Sequence, residues 1–139
     1  MIVFMLLALR ITANDADTCR TKLTNPKFQQ ELSQAIFKSF AEKEFYSLAM
    51  FCNGYVDLTI IQNDEKFTES STEYKTLQSV TNLFSQLTYV RFTLASGFNE
   101  KNVFIILATL YATDDKTGAS INVGFITDHN GAITEIVIF

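Results

Sequence analysis

The spacing of apolar residues changes once along this chain, near Leu87, and this change restricts the folds open to it. Before Leu87, apart from one short hairpin, apolar residues recur every three or four positions, which is typical of one face of a helix. After Thr88 they alternate with polar residues or form short continuous runs, which is typical of strands. Helices followed by a set of strands indicate an α+β fold, and 139 residues suit one domain.

Two helices are predicted before the first strand. Asn25 and Pro26 form a strong start signal, because asparagine caps free amides and proline at the first helical position needs no donor. The apolar spacing then predicts a long helix over residues 26–44 and a shorter one over residues 45–51. We expect Gly54 to end the second helix, because glycine readily adopts the left-handed conformation of a helix C-terminus.

A hairpin and a third helix follow. Residues 55–62 have the pattern of a strand, and residues 63–65 (Asn-Asp-Glu) predict a tight turn into a short second strand over residues 66–68. Ser70 and Glu73 then have the spacing of a capping box. The third helix is therefore predicted to begin at Ser70.

The rest of the chain is predicted to be four strands. Alternation predicts a strand over residues 90–94, and residues 103–112 are apolar on both faces, as in a central strand. Residues 120–127 and 132–139 form the last two strands, joined at Asn130-Gly131, a favoured hairpin dipeptide. Because helices can cover only one face of the sheet, we expect a second copy of the chain to cover the other.

The amino terminus bears on the compartment. Residues 2–9 are a continuous apolar run of signal-peptide length, and the small residues Ala13 and Ala16 follow. We expect residues 1–25 to be a signal peptide of a secreted protein; the alternative is an apolar arm on a cytoplasmic domain. Secretion would allow a disulfide between Cys19 and Cys52, whereas both would stay reduced in the cytoplasm. No segment is long and apolar enough to be a transmembrane helix.

Composition argues against several classes of partner. The formal net charge is −4 at pH 7, and the eleven lysines and arginines form no cluster, so no nucleic acid is expected as a partner. One histidine and two isolated cysteines do not make a zinc site, so no metal is expected. The five glycines are scattered and form no phosphate-binding loop, so no cofactor is expected.

The order of elements resembles that of the nuclear transport factor 2-like superfamily, also called the SnoaL-like or cystatin-like α+β fold. Two motifs add to the resemblance, the stretch Phe51-Cys52-Asn53-Gly54-Tyr55 and the stretch Asn130-Gly131-Ala132-Ile133. The resemblance covers residues 28–139, so residues 26–139 are taken as the domain. It implies N-terminal helices packed on a strongly curved antiparallel sheet, an α-α-β-β-α-β-β-β-β cone with an internal cavity, and a homodimer formed through the sheet.

The resemblance does not imply one activity, since this fold hosts many. Aligned with the ketosteroid isomerase branch, the general base falls near Thr59 and the oxyanion-stabilising acid near Asn122 or Val123. A threonine hydroxyl does not abstract an α-proton near neutral pH, and neither an amide nor a valine replaces a protonated carboxylic acid. Isomerase chemistry of that kind is therefore not expected. Asp57, on the same strand face as Thr59, is the remaining candidate base.

We therefore expect a noncatalytic domain that binds a small apolar ligand or a protein partner in or beside the cavity. The side chains predicted to line the cavity are largely aromatic and neutral, with one carboxylate: Tyr46, Tyr55, Asp57, Thr59, Tyr111 and Asn122. The alternative is a hydrolase-type or isomerase-type enzyme with Asp57 as general base. The two hypotheses differ in whether Asp57 faces a closed pocket or solvent.

Overall fold

The computed structural model describes residues 25–113 and 120–139. The elements are α1 (Pro26–Glu42), a 3₁₀ helix (Tyr46–Phe51), β1 (Cys52–Gln62), β2 (Glu65–Thr72), α2 (Glu73–Gln86), β3 (Arg91–Phe98), β4 (Phe104–Tyr111), β5 (Ser120–Thr127) and β6 (Ile133–Ile138). This is the predicted order of elements. The N-terminal segment and Cys19 lie outside the described residues, so the signal peptide and the disulfide to Cys52 stay predictions. None of the described helices is long and apolar enough to cross a membrane.

The strands form one open, mixed, six-stranded sheet in the order β2-β1-β6-β5-β4-β3. The four strands after Leu87 pair with their sequence neighbours in antiparallel fashion, as predicted. The prediction of an entirely antiparallel sheet is wrong at one place, because β1 runs parallel to β6. The four-strand meander sets the direction of β6, and β1 joins it from the other end of the chain, so no hairpin forces the pair to be antiparallel.

Helix α1 begins as the sequence predicts. The Asn25 side chain accepts a hydrogen bond from the Lys27 amide at 2.9 Å, and Pro26 occupies the first turn. The helix ends at Glu42, slightly before the predicted end at residue 44, and the capping residue Lys43 has a left-handed backbone with φ of 55°. Its buried residues include Leu32, Ile36 and Phe40. The Phe40 ring lies within 6 Å of four other phenylalanine rings: Phe45, Phe84, Phe92 and Phe125.

Gly54 has a different role from the predicted helix end. The structure places it inside β1, with φ of 90°, at a register shift between Cys52 and Asp57 in the pairing with β6. The Gly54 amide donates a hydrogen bond of 3.3 Å to the Glu73 carboxylate. A left-handed glycine suits a β-bulge as well as a helix end, so its sequence signal alone could not separate the two.

The predicted capping box at Ser70 and Glu73 is also wrong. Strand β2 extends to Thr72, and Thr72 is the residue that caps α2, accepting a hydrogen bond from the Lys75 amide at 3.4 Å. Ser70 instead lies opposite Asp57 in the β1–β2 ladder. The sequence of β2 is polar and its side chains are mostly exposed, so it lacks the alternation that marks a half-buried strand.

The two faces of the sheet differ. The helices and the core lie on one face, where alternate residues of β4, Ile106, Ala108 and Leu110, are buried. The intervening residues of β4 are half-buried and point to the opposite face, here called the outer face. No described helix packs on the outer face, as expected for a strand that is apolar on both sides.

Candidate functional site

The six side chains predicted to line one cavity lie in separate places. Tyr46, at the start of the 3₁₀ helix, stacks on Tyr74 of α2 with ring centroids 5.6 Å apart. Tyr55, in β1 after the bulge, is 70% exposed. These two tyrosines therefore contribute to a surface and to the packing of the helices, and neither lines the cavities described below.

Asp57 and Thr59 lie on the outer face, in a cluster of carboxylates and hydroxyls. The Ser70 hydroxyl donates a 2.6 Å hydrogen bond to Asp57. The Thr59 hydroxyl donates a 2.6 Å hydrogen bond to Glu135 of β6 and lies 3.0 Å from the Thr68 hydroxyl. Asp57 and Glu135 are opposite residues of the parallel pair, so two carboxylates lie side by side. Sequence reasoning missed Glu135 because only the unpredicted parallel pairing brings it to Asp57.

Tyr111 and Asn122 lie toward the other end of the outer face. The guanidinium of Arg91 stacks on the Tyr111 ring, 3.7 Å from its centroid. The Thr109 hydroxyl donates a 3.0 Å hydrogen bond to the Asn122 side chain. Within the described residues Arg91 has no acidic partner, and its buried Nη2 has no hydrogen-bond acceptor. This corner carries one cation and is separated from the carboxylates of Asp57 and its neighbours.

The surroundings of Asp57 bear on catalysis. Its carboxylate is partly exposed on an open sheet face and already accepts a hydrogen bond from Ser70. Thr59 is 1% exposed, and its hydroxyl is directed to Glu135 rather than to an open space. A general base must reach a substrate proton, with a donor placed for the developing charge. The described residues around Asp57 do not form an enclosed site of this kind.

A cleft lies at one end of the domain, where the first turns of α1, the end of the 3₁₀ helix and the β5–β6 turn meet. Its volume is about 420 Å³. Its lining comprises the apolar or thiol side chains Phe28, Met50, Phe51, Cys52 and Ala132, the polar side chains Glu31, Asn53 and Asn130, and Gly131. The rings of Phe28 and Phe51 are tilted, with centroids 6.3 Å apart. The two motifs of the predicted resemblance therefore meet at this cleft.

The β5–β6 side of the cleft is held by a compact turn. The Asp128 carboxylate accepts hydrogen bonds from the Asn130 amide at 2.8 Å and the Ala132 amide at 3.0 Å. Gly131 has φ of 81°, a left-handed conformation that glycine adopts without steric cost. The Asp128 side chain and the left-handed Gly131 therefore fix the shape of this wall of the cleft.

Cys52 lines the cleft, but its thiol is poorly suited to nucleophilic chemistry. Its Sγ donates a hydrogen bond to the Leu48 carbonyl at 3.3 Å. Burial, with a smaller contribution from the Glu73 carboxylate, raises the pKa of the Cys52 thiol to about 12. Because the thiolate is the reactive form, the thiol is inert near neutral pH.

A second, smaller cavity of about 130 Å³ lies under the segment before β3, lined by Leu87, Tyr89, Leu110 and Ile121 among others. The Tyr89 hydroxyl donates a hydrogen bond to the Phe40 carbonyl, and burial raises the pKa of Tyr89.

Across residues 25–113 and 120–139, no group of three or more His, Cys, Asp or Glu side chains is arranged to hold a metal ion.

Comparisons with known proteins show a likeness of fold alone. No family model matches the chain, and no curated protein matches it. A designed protein from "An enumerative algorithm for de novo design of proteins with diverse pocket structures" superposes with a TM-score of 0.55 at 8% identity, covering 79% of this chain and 96% of the design. A DUF4783 family protein from Bacteroides uniformis ATCC 8492 superposes with a TM-score of 0.53 at 17% identity, covering 76% of this chain and 93% of that protein.

Proposed function

We propose that the chain is a noncatalytic binding domain of the nuclear transport factor 2-like type, and that it binds a small apolar ligand in the cleft. The observation that carries this proposal is the composition of the cleft. Phe28 and Phe51 provide two aromatic faces, Met50 provides an adaptable side chain, and the amides of Asn53 and Asn130 lie beside them. Ligand sites combine apolar and aromatic side chains with polar groups, and this lining has both, including the Glu31 carboxylate.

The size of the cleft fits the same proposal. Its volume of about 420 Å³ lies within the range of roughly 300–1,000 Å³ that small-molecule sites occupy. We expect a ligand with an aromatic or aliphatic body for the phenylalanine side and a hydrogen-bonding edge for Asn53. The designed protein of similar fold comes from work on diverse pocket structures, which supports the view that this fold can hold a pocket.

The alternative, an enzyme that uses Asp57 as general base, has less support. Asp57 lies on the open outer face and is hydrogen-bonded to Ser70, away from the cleft lining. Its nearest carboxylate neighbour along the parallel pair is Glu135, which already accepts a hydrogen bond from Thr59. A general base must lie within reach of a substrate proton, and Asp57 lines neither of the two cavities described above.

We also propose that a second copy of the chain covers the outer face. Six residues form a continuous patch there, here called the apolar strip: Ala95, Ile105, Leu107, Gly124, Ile126 and Val137. They occupy two adjacent rows across β3, β4, β5 and β6. A contiguous apolar patch on an open sheet is typical of an interaction site.

Binding of the neutral fluorophore N-phenyl-1-naphthylamine tests the cleft. We expect its fluorescence to rise with the protein and to saturate at one molecule per chain. Phe28→Ala should weaken the binding by about tenfold, because it removes one aromatic face of the cleft. The matched control is Phe37→Ala, an exposed phenylalanine of the same helix that does not line the cleft. Equal loss in both variants, or no saturable binding, would contradict the proposal.

A further inference from the structure

We propose that in a dimer formed through the outer face, Arg91 of each copy pairs with Glu135 of the other. This inference rests on the proposed self-association and specifies its register. It starts from two charges that have no oppositely charged partner among the described residues. The Arg91 guanidinium stacks on Tyr111, and the Glu135 carboxylate accepts a hydrogen bond from the Thr59 hydroxyl.

The two charges lie at opposite corners of the apolar strip and cannot meet within one chain. Arg91 lies at one end of β3, opposite Tyr111 of β4. Glu135 lies in the row of opposite residues that crosses the sheet to Gly97, at the other end of β3. The residues between them in this row are Ile126 and Ile105. Six residues along a strand span about 20 Å, and three strands across the sheet span about 14 Å. The corners are therefore far beyond the reach of an ion pair, which is about 4 Å.

A two-fold axis converts this diagonal into two contacts. The midpoint between Arg91 and Glu135 falls between β4 and β5, among Leu107, Thr109 and Gly124. Consider two copies whose outer faces lie against each other, with a two-fold axis between them that passes over this midpoint. If the axis is perpendicular to the diagonal from Arg91 to Glu135, it places Arg91 of each copy over Glu135 of the other. In such an isologous contact every pair occurs twice.

The centre of the strip allows close approach of the second sheet. A Cβ built on Gly124 meets nothing within 4 Å, so open space lies over the middle of the face. Asp57, one strand beyond Glu135, falls beside the same Arg91 under this axis and adds a second carboxylate. The apolar strip and its two charged corners span about 14 Å across β3 to β6 and about 20 Å along the strands.

The occupant inferred from this charge arrangement is a second copy. The face carries a cation and carboxylates at diagonal corners, so it is complementary to itself under a two-fold rotation. An unrelated partner would have to reproduce both corners and the intervening strip. A register that placed a corner over the same corner of the second copy would bring like charges together and oppose association, so the charges favour the register proposed.

The test uses two charge reversals in the full chain, Arg91→Glu and Glu135→Arg, studied alone and mixed. Each variant alone places like charges at both contacts, so we expect its dimer dissociation constant to rise at least about tenfold in sedimentation velocity. An equimolar mixture of the two variants should restore dimers of twice the 15.7 kDa chain mass, because a heterodimer has opposite charges at both contacts. A matched control, Lys38→Glu on the exposed face of α1, should dimerise like the wild type.

The outcomes separate the two proposals. A wild-type chain that stays monomeric would overturn the proposed self-association, and this inference with it. A dimeric wild type whose variants are not rescued by mixing would overturn the Arg91–Glu135 register while the dimer stands. Thermal melting checks that each variant is folded. If a charge reversal unfolds the chain, the neutral variants Arg91→Gln and Glu135→Gln are used instead. Each should raise the dimer dissociation constant, and the double variant should raise it no further than either single variant does.

Discussion

The Thr59 hydroxyl donates a 2.6 Å hydrogen bond to the Glu135 carboxylate, across 76 residues of sequence. The bond links the parallel strands β1 and β6, which join the β1–β2 hairpin to the C-terminal meander. Thr59 is 1% exposed although it lies on the outer face, and its hydroxyl also lies within hydrogen-bonding distance of Thr68. One buried hydroxyl therefore connects three strands of the sheet.

Removing that hydroxyl should destabilise the domain. Thr59→Val keeps the side-chain shape but deprives the Glu135 carboxylate of a donor, so we expect the free energy of unfolding to fall by about 1–2 kcal/mol. Urea unfolding measures the change. Thr93→Val, on the same face of β3 and exposed, is the matched control and should change stability little. A Thr59→Val variant as stable as the control would show that the bond contributes nothing net.

Gly54 and Gly124 should respond differently to alanine. A Cβ at either position meets nothing within 4 Å, so neither substitution causes a clash. Gly54 has φ of 90°, where an alanine is strained by about 1–2 kcal/mol, and Gly124 does not have a left-handed backbone. We expect Gly54→Ala to lower the urea midpoint and Gly124→Ala to leave it unchanged at concentrations where the chain is monomeric. Equal effects would argue against a bulge at Gly54.

The pKa of the Cys52 thiol predicts both its reactivity and a pH dependence. The folded-state pKa is about 12 against an ordinary value of 9.0, so the folded state favours the protonated thiol. The contribution of this group to stability is present below pH 9 and is lost as the pH rises from 9 toward 12, because the unfolded chain ionises first.

Iodoacetamide labelling of the reduced protein at pH 8.5 checks this. The peptide containing Cys52 should label much more slowly in the native protein than in urea, as quantified by mass spectrometry. Stability measured by urea unfolding should also decline above pH 9 more in the wild type than in Cys52→Ala. Native labelling of Cys52 at the rate of the urea-unfolded chain would contradict the buried, protonated thiol.

Elements with a local signal could be predicted from the sequence. Asn25-Pro26 marks the start of α1, and β5 occupies the predicted residues. Asn63 and Asp64 both have positive φ, of 53° and 66°, as a two-residue hairpin requires, so the predicted turn is confirmed. In each case neighbouring residues determine the conformation.

Long-range pairing could not be predicted in the same way. Alternation shows which residues of a strand share a face, but it does not show which strand lies alongside or in which direction. The parallel pairing of β1 with β6 and the bulge at Gly54 together place Asp57 beside Glu135. A shift of one residue moves a side chain to the other face of a sheet, so the predicted cavity lining depended on register that the sequence does not show.

Part of the candidate site could be predicted from the sequence. The stretches around Phe51 and Asn130 stood out as motifs, and the structure brings both to the cleft. Phe28 and Met50 carried no signal beyond the helical pattern, because a residue that lines a cleft and a residue that packs in a core have the same apolar character.

Backbone amide chemical shifts of the ¹⁵N-labelled protein, titrated with N-phenyl-1-naphthylamine, show where on the domain the ligand binds. Binding in the cleft predicts saturable shifts at the amides of Asn53 and Ala132, with Asp57 and Tyr111 unchanged. These pairs separate the cleft from the outer face, since the first two residues line the cleft and the last two lie on the sheet face. Shifts centred on Asp57, or no saturable shift at the cleft, would contradict ligand binding in the cleft.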